Sequence, residues 1–176
     1  MKSLKLVLLK PMQDFKRVKI INKKMKHSEE IIEKFRSSAN VEEIFRQYCM
    51  SPFAEWVGIK ITKLAENYCR LFLVLGEKCK NYYGGIHGGV LATMADTCMG
   101  GAVRSVGLQP VTAELTVNYL SKPSVGDELT AEGWIVHRGG TIVLTECIIK
   151  SVNLKKIVSG KGIFISRVLS AGDKEE

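Results

Sequence analysis

One carboxylate near the middle of the chain, Asp96, stands where a charge is costly. It is the only charged residue between Gly88 and Val103, in a stretch that is otherwise mostly apolar. A carboxylate in such a setting faces a polar crevice or bonds a strand hydroxyl, or it acts as a general base or nucleophile with a raised pKa. The residue type by itself leaves a structural and a catalytic interpretation open.

The tripeptide His87-Gly88-Gly89 precedes the same apolar stretch. The first turn of a helix has backbone N–H groups without partners and the positive end of the helix dipole. Glycines at that point let a ligand carbonyl approach the backbone, and the N–H groups can hold an oxyanion. A Gly-Gly pair also forms simple turns, and His87 fits a structural role as well as an acid–base role.

The elements that must position these residues follow from periodicity. Residues 88–106 are apolar nearly all round, which predicts a buried helix that ends at Gly107. A further helical segment is predicted over 28–48, and strands near 57–64, 68–76, 110–120, 127–137, 141–152 and 157–168. Within 110–120, strict alternation predicts Leu115 and Tyr119 on one face and Thr112 on the other. We therefore expect an α+β fold with one antiparallel sheet wrapped around one helix.

Charge and cysteine content exclude several classes of protein. The net charge is +8 over 176 residues, but residues 1–26 hold nine basic residues and one acidic residue, so the remainder is neutral. We expect residues 1–26 to be a basic extension, flexible or a start-site artefact, and 27–176 to be one domain with an N-terminal helical segment. Nucleic acid and membrane partners are not expected. The five cysteines form no Cys-x-x-Cys pair, which predicts no metal site and a cytoplasmic protein.

Several motifs together resemble one known family. The run from Asn81, through His87-Gly88-Gly89, to Asp96 resembles the signature of the PaaI-like hotdog-fold acyl-CoA thioesterases. The resemblance covers residues 50–168 and includes 112–119, 126–127 and 138–141. It implies the hotdog fold, an antiparallel sheet wrapped around one long central helix. It also implies hydrolysis of an acyl-CoA to a free acid and CoA, with no cofactor because CoA belongs to the substrate.

The resemblance also implies roles for particular residues. Gly88 N–H would polarise the thioester carbonyl, and Asp96 would activate water or attack directly. Asn81 would orient the water or the intermediate, and Thr112 would support the water. The remaining implied substrate-binding positions are His87, Gly89, Arg138 and Gly139.

Helix geometry predicts a shared active site. Gly88 and Asp96 lie eight residues apart, which is about 12 Å along a helix axis, so one thioester cannot reach both residues of one chain. Two antiparallel copies of the helix would bring each Asp96 to the other chain's Gly88. We expect a homodimer that shares its active sites, with a homotetramer usual for the family.

Two other functions remain open at this point. A hotdog hydratase or dehydratase would need a catalytic histidine paired with an acid. A non-catalytic acyl-CoA-sensing regulator would need a DNA-binding arm. The acyl group is not identified, since Met94, Met99, Phe53, Trp56 and Trp134 are expected in the core rather than in an acyl tunnel.

Overall fold

The computed structural model describes residues 52–153 and 155–168. Its helices and strands, numbered along the chain, are α1 (Pro52–Val57), β1 (Lys60–Ala65), β2 (Tyr68–Val74), α2 (Gly88–Arg104), β3 (Leu108–Tyr119), β4 (Glu128–Arg138), β5 (Ile142–Ser151) and β6 (Lys156–Val168). A short 3₁₀ helix, Glu77–Cys79, lies between β2 and α2. None of the helices in this part of the chain is long and apolar enough to cross a membrane.

The six strands form one sheet in the order β1-β2-β4-β5-β6-β3. Every neighbouring pair is antiparallel, and β1 and β3 are the two edge strands. Helix α2 lies on one face of this sheet and contacts all six strands. The predicted architecture, an antiparallel sheet wrapped around one long central helix, is confirmed.

The core lies between α2 and the sheet, and small residues let the two come close. Met94, Cys98 and Met99 on α2 are fully buried. A Cβ at Gly133 of β4 would lie 3.0 Å from Cys98 Sγ and 3.1 Å from the Cys98 carbonyl carbon and oxygen, so glycine is needed at this crossing. On the helix, a Cβ at Gly101 would lie 2.7 Å from a sulfur of β2. Close packing therefore offsets the helix-weakening effect of this glycine.

A β-bulge at Ala113 changes the face on which β3 presents Thr112. The register of β3 against β6 shifts between Thr112 and Glu114, so Ala113 is the extra residue. As a result Thr112 bonds Asp96 on α2, while Leu115 also packs against the core beneath the helix. The prediction that Thr112 and Leu115 lie on opposite faces is wrong, because one added residue reverses the alternation.

The segment before β1 also differs from the prediction. Residues 52–57 form α1, which lies between the predicted helix over 28–48 and the strand predicted from about 57, and β1 begins only at Lys60. Phe53 and Trp56 are 57% and 67% exposed and stack on each other, so the expectation that they lie in the core is wrong. The predicted helix over 28–48 and the basic extension over 1–26 lie outside the described residues.

Candidate active site

Asp96 lies in the middle of α2, on the side that meets the edge strand β3. Its Oδ1 accepts a hydrogen bond of 2.8 Å from Thr112 Oγ1. The side chain of Asp96 is only partly buried, so the carboxylate meets both protein and solvent. The strand hydroxyl foreseen as one partner for this carboxylate is thus present. The hydrogen bond from this hydroxyl fixes the orientation of the carboxylate.

The start of α2 is built by His87, whose side chain caps the helix. His87 Nδ1 accepts a hydrogen bond of 2.9 Å from the Gly89 backbone N–H, and the backbone N–H of His87 donates to Cys79 O at 2.8 Å. This places the ring proton of a neutral His87 on Nε2. A Cβ at Gly89 would lie 2.9 Å from Nδ1, so the cap requires glycine at that position. The Gly89 N–H is therefore occupied by the protein itself.

The backbone N–H of Gly88 makes no hydrogen bond to any of the described residues. Its carbonyl oxygen accepts a hydrogen bond of 3.2 Å from Tyr119 Oη, at the end of β3. A Cβ at Gly88 would lie 3.3 to 3.4 Å from atoms of the Tyr119 ring and hydroxyl, closer than ordinary van der Waals contact. The free donor at Gly88 thus sits between the histidine cap and a tyrosine from the sheet.

Sequence reasoning did not select Tyr119 as a site residue. The available signal was the position of Tyr119 on the predicted apolar face of β3. Because Tyr119 is at the end of β3, it lies near the start of α2 if the helix and the strand run antiparallel. The start of α2, at Gly88, contacts the end of β3, at Tyr119, and the middle of α2, at Asp96, contacts Thr112 earlier in β3, so the helix and the strand run antiparallel.

Asn81 organises the loop that leads into α2. Its Oδ1 accepts hydrogen bonds from Tyr83 N–H (3.0 Å) and Gly85 N–H (3.1 Å). The backbone of Asn81 also bonds Gly85 O at 2.7 Å. The amide oxygen is therefore engaged in the loop, and the Nδ2 group makes no hydrogen bond to any described residue.

The hairpin with Arg138 and Gly139 stands apart from these residues in one chain. Arg138 pairs with Val143, Val143 with Phe164, and Phe164 with Thr112, which places Arg138 and Thr112 three strands apart. That separation is about 14 Å at the usual spacing between strands. The structure brings Asp96 and Thr112 together in one group and His87, Gly88 and Gly89 in another, but it does not bring Arg138 and Gly139 to either.

The buried thiols of Cys98 and Cys147 offer no alternative nucleophile. Burial raises the pKa of Cys98 well above its ordinary value and that of Cys147 to about 12, so both stay protonated near neutral pH. Within the described residues, no three His, Cys, Asp or Glu side chains are grouped to hold a metal ion. The chemistry available in this part of the chain is that of a carboxylate, a hydroxyl and backbone N–H groups.

The antiparallel sheet around one long helix is the hotdog fold, and comparison with known proteins agrees. Residues 83–158 match the thioesterase superfamily. Over 112 residues the chain is 31% identical to a protein of Saccharolobus solfataricus named as an esterase. The matched segment covers 62% of this chain and 72% of that protein. The chain belongs to the thioesterase superfamily.

Two further curated relatives are matched over less of their length. The acyl-coenzyme A thioesterase PaaI of Escherichia coli is 31% identical over 86 residues, or 49% of this chain. A protein of Halobacterium salinarum named as an esterase is 35% identical over 99 residues, or 52% of this chain. The chain covers 61% and 64% of their respective lengths, less than two thirds in each case.

Solved structures share the fold. The Escherichia coli PaaI structure superposes with a TM-score of 0.67 at 23% identity, covering 82% of this chain and 97% of PaaI. A hypothetical thioesterase of Streptococcus pneumoniae, solved with coenzyme A, gives a TM-score of 0.62 at 27% identity. The match covers 64% of this chain and 88% of that chain. Two other structures of that protein each carry one substitution: in one an aspartate is replaced by alanine, and in the other a threonine is replaced by alanine. Those two positions are 16 residues apart, as Asp96 and Thr112 are.

Proposed function

We propose that the protein hydrolyses an acyl-CoA thioester to a free carboxylic acid and CoA. The observation that carries the proposal is the partly buried carboxylate of Asp96, held in the middle of the central helix by Thr112 Oγ1 at 2.8 Å. The coenzyme A bound to the pneumococcal relative and the name of Escherichia coli PaaI support acyl-CoA as the substrate. An aspartate and a threonine at the same separation, each replaced in variants of that relative, support the choice of residues.

The reaction uses groups of the protein and one water molecule. Asp96 takes a proton from the water as the water oxygen attacks the thioester carbonyl carbon. The Gly88 N–H stabilises the oxyanion that forms on the carbonyl oxygen. The C–S bond then breaks, the proton passes from Asp96 to sulfur, and the acid and the CoA thiol leave. The Nδ2 donors of Asn81 orient the water or the intermediate, and no cofactor or metal is needed.

The active unit in this proposal is a homodimer, because Asp96 and Gly88 of one chain are about 12 Å apart along the helix. The edge strand β3 supports this arrangement, since β6 is its single partner among the described strands. Its outer positions are solvent-exposed, and Val111 is 63% exposed. Each active site then combines Asp96 of one chain with the partner subunit's Gly88, and two dimers can associate as a tetramer.

Arg138 and Gly139, which lie outside both groups in one chain, are proposed to contact the CoA part of the substrate across the dimer.

The four described cysteines are free and buried, which supports a location in the reducing cytoplasm.

The hotdog hydratase alternative is disfavoured by the state of His87. Its Nδ1 is occupied as the acceptor of the helix cap, so the residue acts as a structural element at the helix start. The regulator alternative requires a site that binds acyl-CoA without turnover. The presence of a carboxylate with a hydroxyl donor at the centre of the helix favours the enzyme.

The direct test is release of CoA thiol from a panel of aliphatic and aromatic acyl-CoA esters. Turnover with at least one ester, lost in Asp96→Asn, supports the proposal. Binding of acyl-CoA without release of thiol by the wild-type protein would favour the regulator instead, and hydration of an enoyl-CoA would favour the hydratase.

A further inference from the structure

We propose that Tyr119 is a positioning residue for the oxyanion donor, which it holds by fixing the first residue of α2 against the sheet. This inference rests on the proposed function for its catalytic consequence. The structural part, the anchoring of Gly88, stands on contacts alone.

Tyr119 touches Gly88 in two ways. Its hydroxyl donates to Gly88 O at 3.2 Å, and its ring lies so close to the Gly88 Cα that an added Cβ would sit 3.4 Å from Cε1 and Cζ. The glycine at position 88 therefore accommodates the tyrosine ring as well as leaving room for a ligand. Any rotation of the first helical residue would break the hydrogen bond or push the ring away.

The other restraints on the helix start are local. His87 bonds Gly89 N–H, and Val90 N–H bonds His87 O at 3.0 Å, all within four consecutive residues. The loop contributes one more bond, from His87 N–H to Cys79 O. Tyr119 differs because it comes from β3, 31 residues from Gly88 in the sequence, and thus ties the helix start to the sheet.

The same strand also supplies Thr112, which bonds Asp96. β3 therefore holds both catalytic elements of α2, with one side chain at Asp96 and another at Gly88. The bulge at Ala113 makes this possible, because without it Thr112 and Tyr119 would face opposite sides of the sheet. An oxyanion donor stabilises a transition state only if it is already aimed at the developing charge. Tyr119 supplies that orientation from a rigid element.

The test compares Tyr119→Phe with a matched control, Tyr68→Phe. Tyr68 also donates its hydroxyl to a protein acceptor, Glu132 Oε1 at 2.6 Å. It lies on β2, and the residues that it contacts are not part of the helix start. We expect Tyr119→Phe to lower kcat about fivefold, the typical effect of one neutral hydrogen bond, and to leave KM within twofold. Tyr119→Leu, which also removes the ring, should lower kcat further, whereas Tyr68→Phe should leave kcat unchanged.

Wild-type kcat in Tyr119→Phe and in Tyr119→Leu, both folded by circular dichroism, would overturn the proposal. Equal losses of kcat in Tyr119→Phe and Tyr68→Phe would overturn it as well, since that pattern reports general destabilisation.

A second measurement separates this inference from the proposed function. The backbone amide resonances of Gly88 and Gly89 should shift in Tyr119→Phe and stay in place in Tyr68→Phe. If the wild-type protein hydrolyses no acyl-CoA on the panel but these amides shift, the proposed function fails and the anchoring stands. If the amides do not shift, the anchoring fails whatever the activity.

Discussion

Thr112 Oγ1 donates a hydrogen bond of 2.8 Å to Asp96 Oδ1 and so joins the edge strand of the sheet to the middle of the central helix. The bond occupies one carboxylate oxygen, and no described residue donates a hydrogen bond to the other. It also restricts the rotamer of Asp96, which a general base requires for productive geometry.

Replacing Asp96 with asparagine should nearly abolish thiol release while acyl-CoA still binds. The amide keeps the shape of the side chain but cannot take a proton from water, and general-base assistance is worth about 10² to 10⁴ in rate. Steady-state kinetics and calorimetric titration with a non-hydrolysable acyl-CoA analogue measure the two effects. Activity within a few-fold of wild type would reject Asp96 as the base.

Thr112→Val and Thr112→Ser should behave differently although both change the same side chain. Valine keeps the volume but removes the donor to Asp96, so kcat should fall roughly tenfold or more, as expected for a hydrogen bond to a charged group. Serine keeps the hydroxyl and should retain most of the activity. Equal kcat values for the two variants would show that the hydrogen bond has no catalytic role.

Mixed dimers should recover activity from two inactive parents if the active site is shared. Asp96→Ala removes the base, and Asn81→Ala removes the Nδ2 donors and the loop contacts to Tyr83 and Gly85. A dimer with one chain of each kind has one site with both lesions and one intact site. Random co-refolding makes about half of the dimers mixed, so activity should approach roughly a quarter of wild type. No recovery, with subunit exchange verified by mass, would contradict the shared site.

Gly89→Ala should destabilise the protein through the helix cap. The new Cβ would lie 2.9 Å from His87 Nδ1 and 3.1 Å from Cε1, so the imidazole must leave the capping position. Loss of an N-cap costs about 1 kcal/mol, which thermal or chemical denaturation resolves. Gly140→Ala is the matched control, because its Cβ would meet nothing within 4 Å. Equal stability of the two variants would show that the cap contributes little.

The ion pair between Arg70 and Glu132 (Nη2 to Oε1, 2.7 Å), on the sheet face away from α2, should contribute to stability in a defined pH range. Hydrogen bonds from Tyr68 and Arg70 lower the pKa of Glu132. A carboxyl group with a lowered pKa in the folded state contributes stability that is present above its unfolded-state pKa and lost as the pH falls through the folded-state pKa. Urea denaturation across the acidic range should therefore show a loss of stability that Glu132→Gln reduces and Glu66→Gln, an exposed control, does not. The same acid dependence in Glu132→Gln would contradict this assignment.

The sequence by itself determined the class of fold and the positions of the candidate site residues along the chain. An apolar helix with a single charge, preceded by His87-Gly88-Gly89 and followed by alternating strands, allows few arrangements, since a helix that is apolar on all sides must be buried. The motif from Asn81 to Asp96 is local, so its pattern is visible without any knowledge of long-range contacts.

Only the tertiary structure decided which side chains meet these groups. The face presented by Thr112 depends on the bulge at Ala113, and a single added residue leaves no clear signal in an alternating pattern. The contact of Tyr119 with Gly88 depends on how an edge strand lies beside the helix, which is a long-range packing outcome. Local periodicity specifies which residues each element buries. The register between elements specifies which residues come together, and it is set by close packing at positions such as Gly133.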